Sequence, residues 1–221
     1  MLIVIEGVDG SGKQTQTQML YERLLCGGTN VKKIQFPDYG SDTSALVKLY
    51  LGGAFGEKGG EVNPYVASSF YAVDRIGSYL MNWRNDYENG TLILADRYTT
   101  SNAVHQAGKL AKHERDAYLD WLFDYEYRLM SLPVPDMVIF LDMPVEYGRR
   151  LIAERENKIT GQKEKDIHER DSAHMVTAYE NAKCVAKKYG WQVISCVDGG
   201  EIRTVDSIND EIYKLIRSVK K

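Results

Sequence analysis

The sequence predicts an α/β fold in which a five-stranded parallel sheet is flanked by helices. Short apolar runs alternate with stretches of helical periodicity, and each run is followed by a glycine-rich or charged segment. Continuous apolar strands separated by helices are typical of parallel sheets that are covered on both faces. The predicted strands are residues 2–5, 31–36, 91–94, 137–141 and 191–194.

The first strand leads into the segment Gly7-Val8-Asp9-Gly10-Ser11-Gly12-Lys13-Gln14-Thr15, and apolar residues at helical spacing follow between positions 16 and 25. A strand, a turn of the form G-x-x-x-x-G-K and a helix together are the context of a phosphate-binding loop. Backbone N–H groups, the positive end of the helix and the Lys13 ammonium would hold the phosphates. We therefore expect residues 7–15 to bind a nucleotide phosphate; the alternative is a flexible turn without a ligand.

The later strands also end in polar segments. Residues 36–39, 96–98, 142–144 and 198–200 follow strands two to five. Because ligands of parallel sheets bind beyond the carboxyl ends of the strands, we expect these segments to line the site. Two glycine-containing or charged segments, residues 52–60 and 154–171, are predicted to be mobile additions. With no linker or repeat in the sequence, we expect one domain over residues 1–221.

Composition is that of a soluble globular protein and argues against several other classes. A net charge of −3 provides no basic field for nucleic acid or an anionic membrane. The first apolar run meets Glu6 and is too short for a signal peptide or a membrane span. The cysteines, Cys26, Cys184 and Cys196, lack C-x-x-C spacing. They indicate buried, reduced thiols in the cytoplasm rather than disulfides or a metal cluster.

Five motifs follow one another along nearly the whole chain. They are Glu6-Gly7-x-Asp9-Gly10-x-Gly12-Lys13 with Thr15-Gln16, then Phe36-Pro37, Tyr71-Ala72-Val73-Asp74-Arg75, Asp96-Arg97-Tyr98 with Ser101-Asn102-Ala103, and Pro135-Asp136-x-Val138-x-x-Leu141-Asp142. Together they resemble the thymidylate kinases, a family of nucleoside-monophosphate kinases among the P-loop enzymes. The resemblance implies a P-loop NTPase three-layer fold with a helical lid. It also implies a cytoplasmic enzyme of dTTP biosynthesis that transfers a phosphoryl group from ATP to dTMP with Mg²⁺.

The resemblance places the acceptor site between residues 36 and 106. It implies that the Tyr71 ring stacks on thymine and that Arg75 hydrogen-bonds the thymine O4 atom. A core aromatic beside an arginine that reaches solvent is the alternative. The other residues assigned to the acceptor are Phe36, Tyr39, Ser101, Asn102, His105 and Gln106. Asp38 stands where relatives often have a basic residue that holds the acceptor phosphate.

Phosphoryl transfer brings several negative charges together, so catalysis depends on positioning and charge neutralisation. Lys13 is expected to hold the donor phosphates. Arg97 follows strand three and can fork the acceptor phosphate and the transferred group, which is its role in the family. A surface ion pair between Arg97 and Asp96 is the alternative. The resemblance also implies that Asp9 accepts a hydrogen bond from the sugar 3′-OH.

The metal site departs from the usual pattern at one position. A Ser or Thr hydroxyl ordinarily follows the lysine and ligates Mg²⁺, whereas this chain has Gln14. The Gln14 amide oxygen can ligate Mg²⁺ directly or through water, or Thr15 and Asp96 can take over, or the affinity for metal is lower. Asp96 resembles the acid that orients water around Mg²⁺, with helix capping as the alternative. We expect Mg²⁺ to be held largely by ATP phosphates and water.

The predicted lid spans residues 150–171. Because the phosphate loop has Gly10 and Ser11 where some relatives have an arginine, the lid is expected to supply this catalytic cation. Arg150 best matches the arginine that packs on adenine and reaches the donor phosphates, and Arg155 is the next candidate. The lysines of the lid, Lys158, Lys163 and Lys165, are more typical of a solvated helix face.

The family is usually homodimeric, and apolar helix faces at residues 66–79 and 118–129 can supply an interface or be buried within the monomer. Two other functions stay open from the sequence. One is a related kinase that acts on another pyrimidine nucleotide. The other is a catalytically weakened nucleotide-binding protein. Gln14, Asp38 and the lid segment Asp166-Ile167-His168-Glu169, which lacks the arginine of the family's Asp-Arg-x-Glu pattern, favour it, whereas Lys13 and Arg97 oppose it.

Overall fold

The structure, a computed structural model, describes residues 1–56, 61–153 and 172–219. The strands of its main sheet are β1 (Leu2–Glu6), β2 (Val31–Gln35), β3 (Leu92–Asp96), β4 (Met137–Asp142) and β5 (Gln192–Ser195). They pair in parallel in the order β2-β3-β1-β4-β5. The five-stranded parallel sheet predicted from the apolar runs is therefore confirmed. A short antiparallel hairpin of β6 (Val197–Asp198) and β7 (Glu201–Ile202) follows it.

Helices connect and cover the strands. They are α1 (Lys13–Cys26), α2 (Ala45–Leu51), α3 (Pro64–Ser78), α4 (Arg84–Glu88), α5 (Thr99–His105), α6 (Arg115–Phe123), α7 (Val145–Ala153), α8 (Ser172–Lys188) and α9 (Val205–Val219). Single 3₁₀ turns occur at Asp42–Ser44, Ala107–Lys109 and Lys112–Glu114. Wider π-helical turns continue α3 at Tyr79–Trp83 and α6 at Asp124–Leu129.

The alternation of side chains along β1 divides the core into two layers. Ile3 and Ile5 pack on one face of the sheet with residues of α1 and α9. Leu2 and Val4 pack on the other face with Trp83 and the aromatic residues around it. Each such side chain contributes about 1.5–3 kcal/mol when fully buried, so a strand buried on both faces anchors the loop that follows it.

The strand ends differ slightly from the prediction. Strand β3 continues to Asp96 because that residue still pairs with Ile5 of β1 and Gln35 of β2. The segment Asp198-Gly199-Gly200 does not end the fifth strand but lies at the turn of the β6–β7 hairpin. The positive φ angles of Gly199 and Gly200, 56° and 84°, suit that tight turn.

The prediction that all the cysteines are buried is corrected, and for one of the two apolar faces the structure decides between interface and interior. Only Cys196 is buried, whereas Cys26 and Cys184 are exposed, because Cys26 ends α1 and Cys184 lies on the solvent side of α8. Burial raises the pKa of the Cys196 thiol to about 12. Of the two apolar faces proposed for an interface, the one at 118–129 is largely internal, since Tyr118, Leu119 and Leu122 are buried.

The predicted lid falls mostly outside the described residues, and so does Arg155. Of the glycine-rich segment 52–60, only residues 52–56 are described. Across the described ranges, none of the helices has the length and apolar character needed to span a membrane.

Candidate active site

The loop between β1 and α1 forms a tight turn whose geometry suits an anion. Gly12 directly precedes α1 and Gly10 lies two residues earlier, and their φ angles of 81° and 80° are ones that side-chain-bearing residues rarely adopt. Gly7 is needed for another reason. A Cβ atom at this position would lie 2.5 Å from Ser11 Oγ and 3.1 Å from the carbonyl oxygen of Leu141 in β4. The loop is thus packed against the sheet, with the N-terminus of α1 directed into it.

Lys13 begins α1 and is buried within this loop. Its ammonium Nζ donates to the Val8 carbonyl at 2.7 Å and lies 3.4 Å from Ser11 Oγ. Burial and the positive charge of Arg97 lower its pKa from 10.5 to about 7, although nearby carboxylates, Asp9 first, oppose the shift. A phosphate anion placed in the loop would favour the charged form of Lys13.

Arg97 occupies the centre of the site. Its Nη2 donates to Asp9 Oδ1 at 2.5 Å, and its Nη1 lies 3.2 Å from His105 Nε2 and 3.4 Å from Ser101 Oγ. The φ angle of Arg97 is 68°, a left-handed conformation that is uncommon for a residue with a side chain. Burial opposes the charge of Arg97, but the carboxylates of Asp9 and Glu6 more than compensate and raise its pKa. Arg97 is thus a fixed cation, paired with Asp9 rather than with Asp96.

Glu6, at the end of β1, ties the phosphate loop to α5. It is fully buried, and its carboxylate accepts from the Gly7 backbone N–H at 2.9 Å and from the hydroxyls of Thr100 and Ser101 at 2.8 Å each. This network holds the start of α5 in place, and with it the helix that carries several of the predicted acceptor residues.

One cavity brings together every residue predicted to contact the acceptor. Its lining includes residues of the phosphate loop, the β2–α2 connection, α3 and α5. They are Asp9, Phe36, Pro37, Tyr39, Leu51, Tyr71, Arg75, Arg97, Tyr98, Ser101, Asn102, His105 and Gln106. Pro37 and Tyr98 belong to segments that were expected to line the site, whereas Leu51 was not predicted. An aromatic and apolar wall with a few polar groups suits a planar base attached to a charged group.

Two amides and an arginine supply the polar edge of this cavity. The Gln106 side chain is 2% exposed, and its Oε1 has no hydrogen-bond partner within the described part of the chain. Asn102 Nδ2 lies 3.4 Å from the Ser68 carbonyl. Arg75 is 1% exposed and is paired through two hydrogen bonds of 2.6 Å with the buried carboxylate of Glu126. Arg75 is therefore not an arginine that reaches solvent.

Glu126 was missed, although the sequence carried a clue to it. Tyr118 and Leu122 are buried on α6, and Glu126 follows at the same four-residue spacing, which places its carboxylate on the buried side. A charged residue on an apolar stripe needs a buried partner of opposite sign. That partner, Arg75, lies in another helix and could not be identified from spacing alone.

A second cavity adjoins the phosphate loop. It is lined by the loop and α1, by β3 and α7, and by the segment that joins the β6–β7 hairpin to α9. These residues are Gly10, Ser11, Gly12, Lys13, Gln14, Thr15, Gln16, Asp96, Arg97, Met143, Leu151, Ile202, Arg203, Val205 and Ile208. The contribution of residues 202–208 was not predicted, because nothing in the sequence shows that the hairpin folds back toward the loop. Arg97 lines both cavities and so lies between them.

Arg150 is placed less centrally. It lies on the exposed side of α7, with its guanidinium 5.4 Å from the ring centroid of Tyr147, and the neighbouring Leu151 rather than Arg150 lines the second cavity. The Tyr147 hydroxyl donates to the Gly200 carbonyl at 2.7 Å, which connects α7 to the hairpin turn.

The predicted metal-binding residues lie together in the second cavity. Asp96 offers a carboxylate, Gln14 an amide oxygen and Thr15 a hydroxyl, which are the oxygen ligands that Mg²⁺ prefers. Within the described residues no group of three or more His, Cys, Asp or Glu side chains could hold a metal ion by itself. The arrangement therefore fits a magnesium ion that is bound mainly through phosphates and water.

Comparisons with known proteins agree with this geometry. A family model described as thymidylate kinase matches residues 5–190. A thymidylate kinase of Mycobacterium tuberculosis (strain ATCC 25618 / H37Rv) is 29% identical over 209 residues, which cover 91% of this chain and 95% of the relative. The Homo sapiens thymidylate kinase is 28% identical over 142 residues, or 64% of this chain and 60% of the human protein. A solved thymidylate kinase structure from Candida albicans has the same fold, with a TM-score of 0.72 and 21% identity over 99% of this chain and 92% of that chain.

Proposed function

This chain belongs to the thymidylate kinase family, and we propose that it uses ATP and Mg²⁺ to phosphorylate dTMP in two adjoining cavities that share Arg97. Membership of the family makes it a nucleoside-monophosphate kinase of nucleotide biosynthesis. The observation that carries the more detailed proposal is the position of Arg97, which lines the cavity of the phosphate loop and the cavity of the acceptor residues.

The two cavities divide the reactants between them. The phosphate loop and Lys13 hold the ATP phosphates, and residues 202–208 with Leu151 enclose the nucleotide end. The acceptor cavity holds dTMP with its phosphate toward Arg97. An oxygen of the dTMP phosphate attacks the γ-phosphorus of ATP, the bond from that phosphorus to the β–γ bridging oxygen breaks, and ADP leaves. Arg97 neutralises charge on both sides of this transfer, which is where most catalysis of phosphoryl transfer arises.

Asp9 has a second role in this scheme. Its carboxylate orients Arg97 through the 2.5 Å hydrogen bond to Nη2, and it also lines the acceptor cavity. A carboxylate beside a phosphate site is repulsive unless it binds a donor. The sugar 3′-OH of dTMP is such a donor, and Arg97 compensates the remaining charge of Asp9.

Base selection follows from the polar edge of the acceptor cavity. Arg75 can only donate hydrogen bonds, so it suits the O4 carbonyl of thymine and opposes the exocyclic amine of cytosine. Gln106 Oε1, buried without a partner in the described structure, is an acceptor for the thymine N3–H. Leaving such a group unpaired is costly, and the base that satisfies it is therefore strongly preferred. Tyr71 supplies the ring against which the base stacks.

Magnesium, when bound, neutralises the ATP phosphates. Asp96, Gln14 and Thr15 would hold it, directly or through water. We also propose a cytoplasmic location and a homodimer formed through α3 and the turn that follows it. Val66, Val73 and Leu80 recur there at seven-residue spacing, and Met81 adjoins Leu80. These side chains have 48%, 43%, 57% and 72% of their surface exposed, in that order. An apolar stripe of this length on a soluble enzyme is a candidate interface.

A coupled ADP-release assay tests the function. ATP and Mg²⁺ are supplied, and dTMP, dUMP, dCMP, dGMP and thymidine are offered separately. Strong preference for dTMP is expected. Preference for another acceptor would be consistent with the proposed phosphate site but would contradict the roles assigned to Tyr71, Arg75 and Gln106 in binding thymine. A folded protein that binds both ATP and dTMP but shows no turnover would contradict the proposed reaction itself.

A further inference from the structure

Glu126 lies outside the acceptor cavity, yet it determines how Arg75 can act within it. Arg75 Nε and Nη2 each donate to one oxygen of the Glu126 carboxylate at 2.6 Å. Both side chains are almost completely buried, with exposures of 1% and 0%. A bidentate contact between a planar guanidinium and a carboxylate fixes the plane of the arginine as well as its position.

The same contact decides which part of Arg75 is available to a ligand. With Nε and Nη2 held by Glu126, the remaining nitrogen is Nη1. Its contact within the described structure is the Tyr98 carbonyl at 3.5 Å, which is at the long limit for a hydrogen bond. Tyr98 and Arg75 both line the acceptor cavity. Nη1 is therefore the Arg75 nitrogen that is available to donate a hydrogen bond to a nucleotide in that cavity.

Glu126 also joins the two helices that supply the base-contacting groups. The hydroxyl of Thr99, the first residue of α5, donates to Glu126 Oε2 at 2.7 Å. Arg75 belongs to α3, while α5 and the residue after it provide Asn102 and Gln106. One buried carboxylate on the π-helical turn after α6 thus sets the distance between the donor of Arg75 and the amides of Asn102 and Gln106.

We propose that Glu126 is a positioning residue for acceptor recognition, which aims Nη1 of Arg75 into the cavity and so sets the selectivity for a base that carries a carbonyl at that edge. The inference rests on the proposed dTMP kinase function and deepens it, because Glu126 acts on the nucleotide only through Arg75 and α5. Loss of a purely structural ion pair would change acceptor selectivity and the stability of the fold together. A positioning residue instead changes acceptor selectivity while the fold stays intact.

The protonation state of Arg75 does not confuse the test. Burial alone would lower the pKa of Arg75, but the charge and the hydrogen bonds of Glu126 outweigh it, and the pKa is raised. Arg75 is therefore charged at any pH suitable for an assay, and the effect of Glu126 variants is geometric rather than a change in titration.

Two variants test the proposal. Glu126→Asp keeps the charge but withdraws the carboxylate by one methylene, and Glu126→Gln keeps the length but replaces one acceptor oxygen by a donor. The KM for dTMP, the inhibition constant of dCMP against dTMP, the KM for ATP, kcat and the melting temperature are measured for each. The matched control is Glu88→Asp, which shortens a surface carboxylate paired with Arg84.

For Glu126→Asp we expect the KM for dTMP to rise about tenfold and the ratio of the dCMP inhibition constant to that KM to fall by a similar factor. The KM for ATP and the kcat at saturating dTMP should stay close to wild type. Glu126→Gln should show a larger change in the same direction. If removal of the charge prevents folding, Glu126→Asp decides the matter alone.

Two results would overturn the proposal. One is a folded Glu126→Asp enzyme in which the ratio of the dCMP inhibition constant to the KM for dTMP equals that of the wild type. The other is a lower kcat together with higher KM values for both dTMP and ATP and a lower melting temperature. Such a result would indicate that the ion pair is merely structural. A wild-type enzyme that ignores dTMP would instead refute the proposed function, and the wild-type assay detects this before any variant is made.

Discussion

Gly10 of the phosphate loop and Gly148 of α7 touch each other through their backbones. A Cβ atom built on Gly10 would lie 2.3 Å from the Gly148 carbonyl oxygen, and one built on Gly148 would lie 3.0 Å from the Asp9 carbonyl oxygen. Helix α7 therefore rests directly on the loop that holds Asp9 and Lys13. The contact between Gly10 and Gly148 fixes the position of α7 relative to the phosphate loop. The same helix precedes the segment predicted to be the lid.

We predict that Gly148→Ala lowers the catalytic efficiency with both ATP and dTMP without lowering the stability of the fold. Alanine favours a helix over glycine by about 1 kcal/mol, so the stability of α7 itself should not fall. The added methyl group must displace α7 or the loop by a few tenths of an ångström, and kcat/KM for ATP and for dTMP should each drop about tenfold. Steady-state kinetics and thermal melting check this.

Gly108→Ala is the control for that variant, because the nearest atoms to a Cβ atom at Gly108 are 3.7 Å away. Its kinetics should match wild type. Unchanged kinetics in Gly148→Ala as well would mean that the contact between α7 and the loop does not matter for the reaction.

The lowered pKa of Lys13 predicts that ATP binding takes up a proton above neutral pH. In the protein without ATP the Lys13 pKa is about 7 instead of 10.5, and bound phosphates favour the charged form. Above pH 7 the dissociation constant for ATP should therefore rise, by up to about tenfold per pH unit. For folding the sign is opposite: the unfolded chain holds this proton more tightly and folding releases it, so the contribution of Lys13 to stability rises from pH 7 to pH 10.5.

Calorimetry at pH 8 in two buffers of different ionisation enthalpy measures this proton uptake. Lys13→Arg retains its charge at all these pH values and should show none. Equal binding enthalpies of wild type in both buffers would contradict a neutral Lys13.

Arg97→Lys is expected to lower kcat about 100-fold, because an ammonium cannot fork the two phosphates that Arg97 lies between. The strained backbone at position 97 is retained with either side chain, so the melting temperature should change little. Arg84→Lys, a surface change at a residue paired with Glu88, is the control and should be indistinguishable from wild type. A fully active Arg97→Lys enzyme would remove Arg97 from the centre of the mechanism.

Gln14→Thr tests how Mg²⁺ is held. A hydroxyl after the lysine can ligate the metal directly, so the Mg²⁺ concentration for half-maximal activity should fall about tenfold, with little change in the KM for ATP. Gln14→Met has similar length but no oxygen, and it should leave the Mg²⁺ requirement unchanged if phosphates and water hold the ion. A markedly higher requirement in Gln14→Met would show instead that the amide oxygen is a ligand.

Val73→Glu tests the homodimer. The variant places a charge in the middle of the exposed apolar stripe on α3 and should raise the dimer dissociation constant at least about 30-fold. Sedimentation velocity measures the shift. Val134→Glu changes a more exposed valine outside this stripe, 60% accessible against 43% for Val73, and should leave the wild-type distribution of species. A monomeric wild-type protein at micromolar concentration would contradict the proposed dimer.

The sheet and the phosphate loop could be predicted from the amino-acid sequence, because both depend on local patterns. Apolar runs bounded by helices require a sheet covered on both faces, and G-x-x-x-x-G-K after a strand requires a tight turn into a helix. The positions of Tyr71 and Arg75 one helical turn apart also follow from local geometry. The motifs and the strand ends then predicted the residues that meet in the acceptor cavity, except for Leu51, which carries no mark of its role.

The contacts between groups that are far apart in the sequence could not be predicted in this way. Glu126 lies 51 residues from Arg75, and the close contact of Gly148 with Gly10 joins the segments that follow two different strands, β4 and β1. The contribution of residues 202–208 to the donor cavity depends on how a hairpin folds back. Such contacts are set by packing between elements, and a spacing rule covers only residues within one element. The sequence therefore determines what each residue can do, and the fold decides the partner with which it does so.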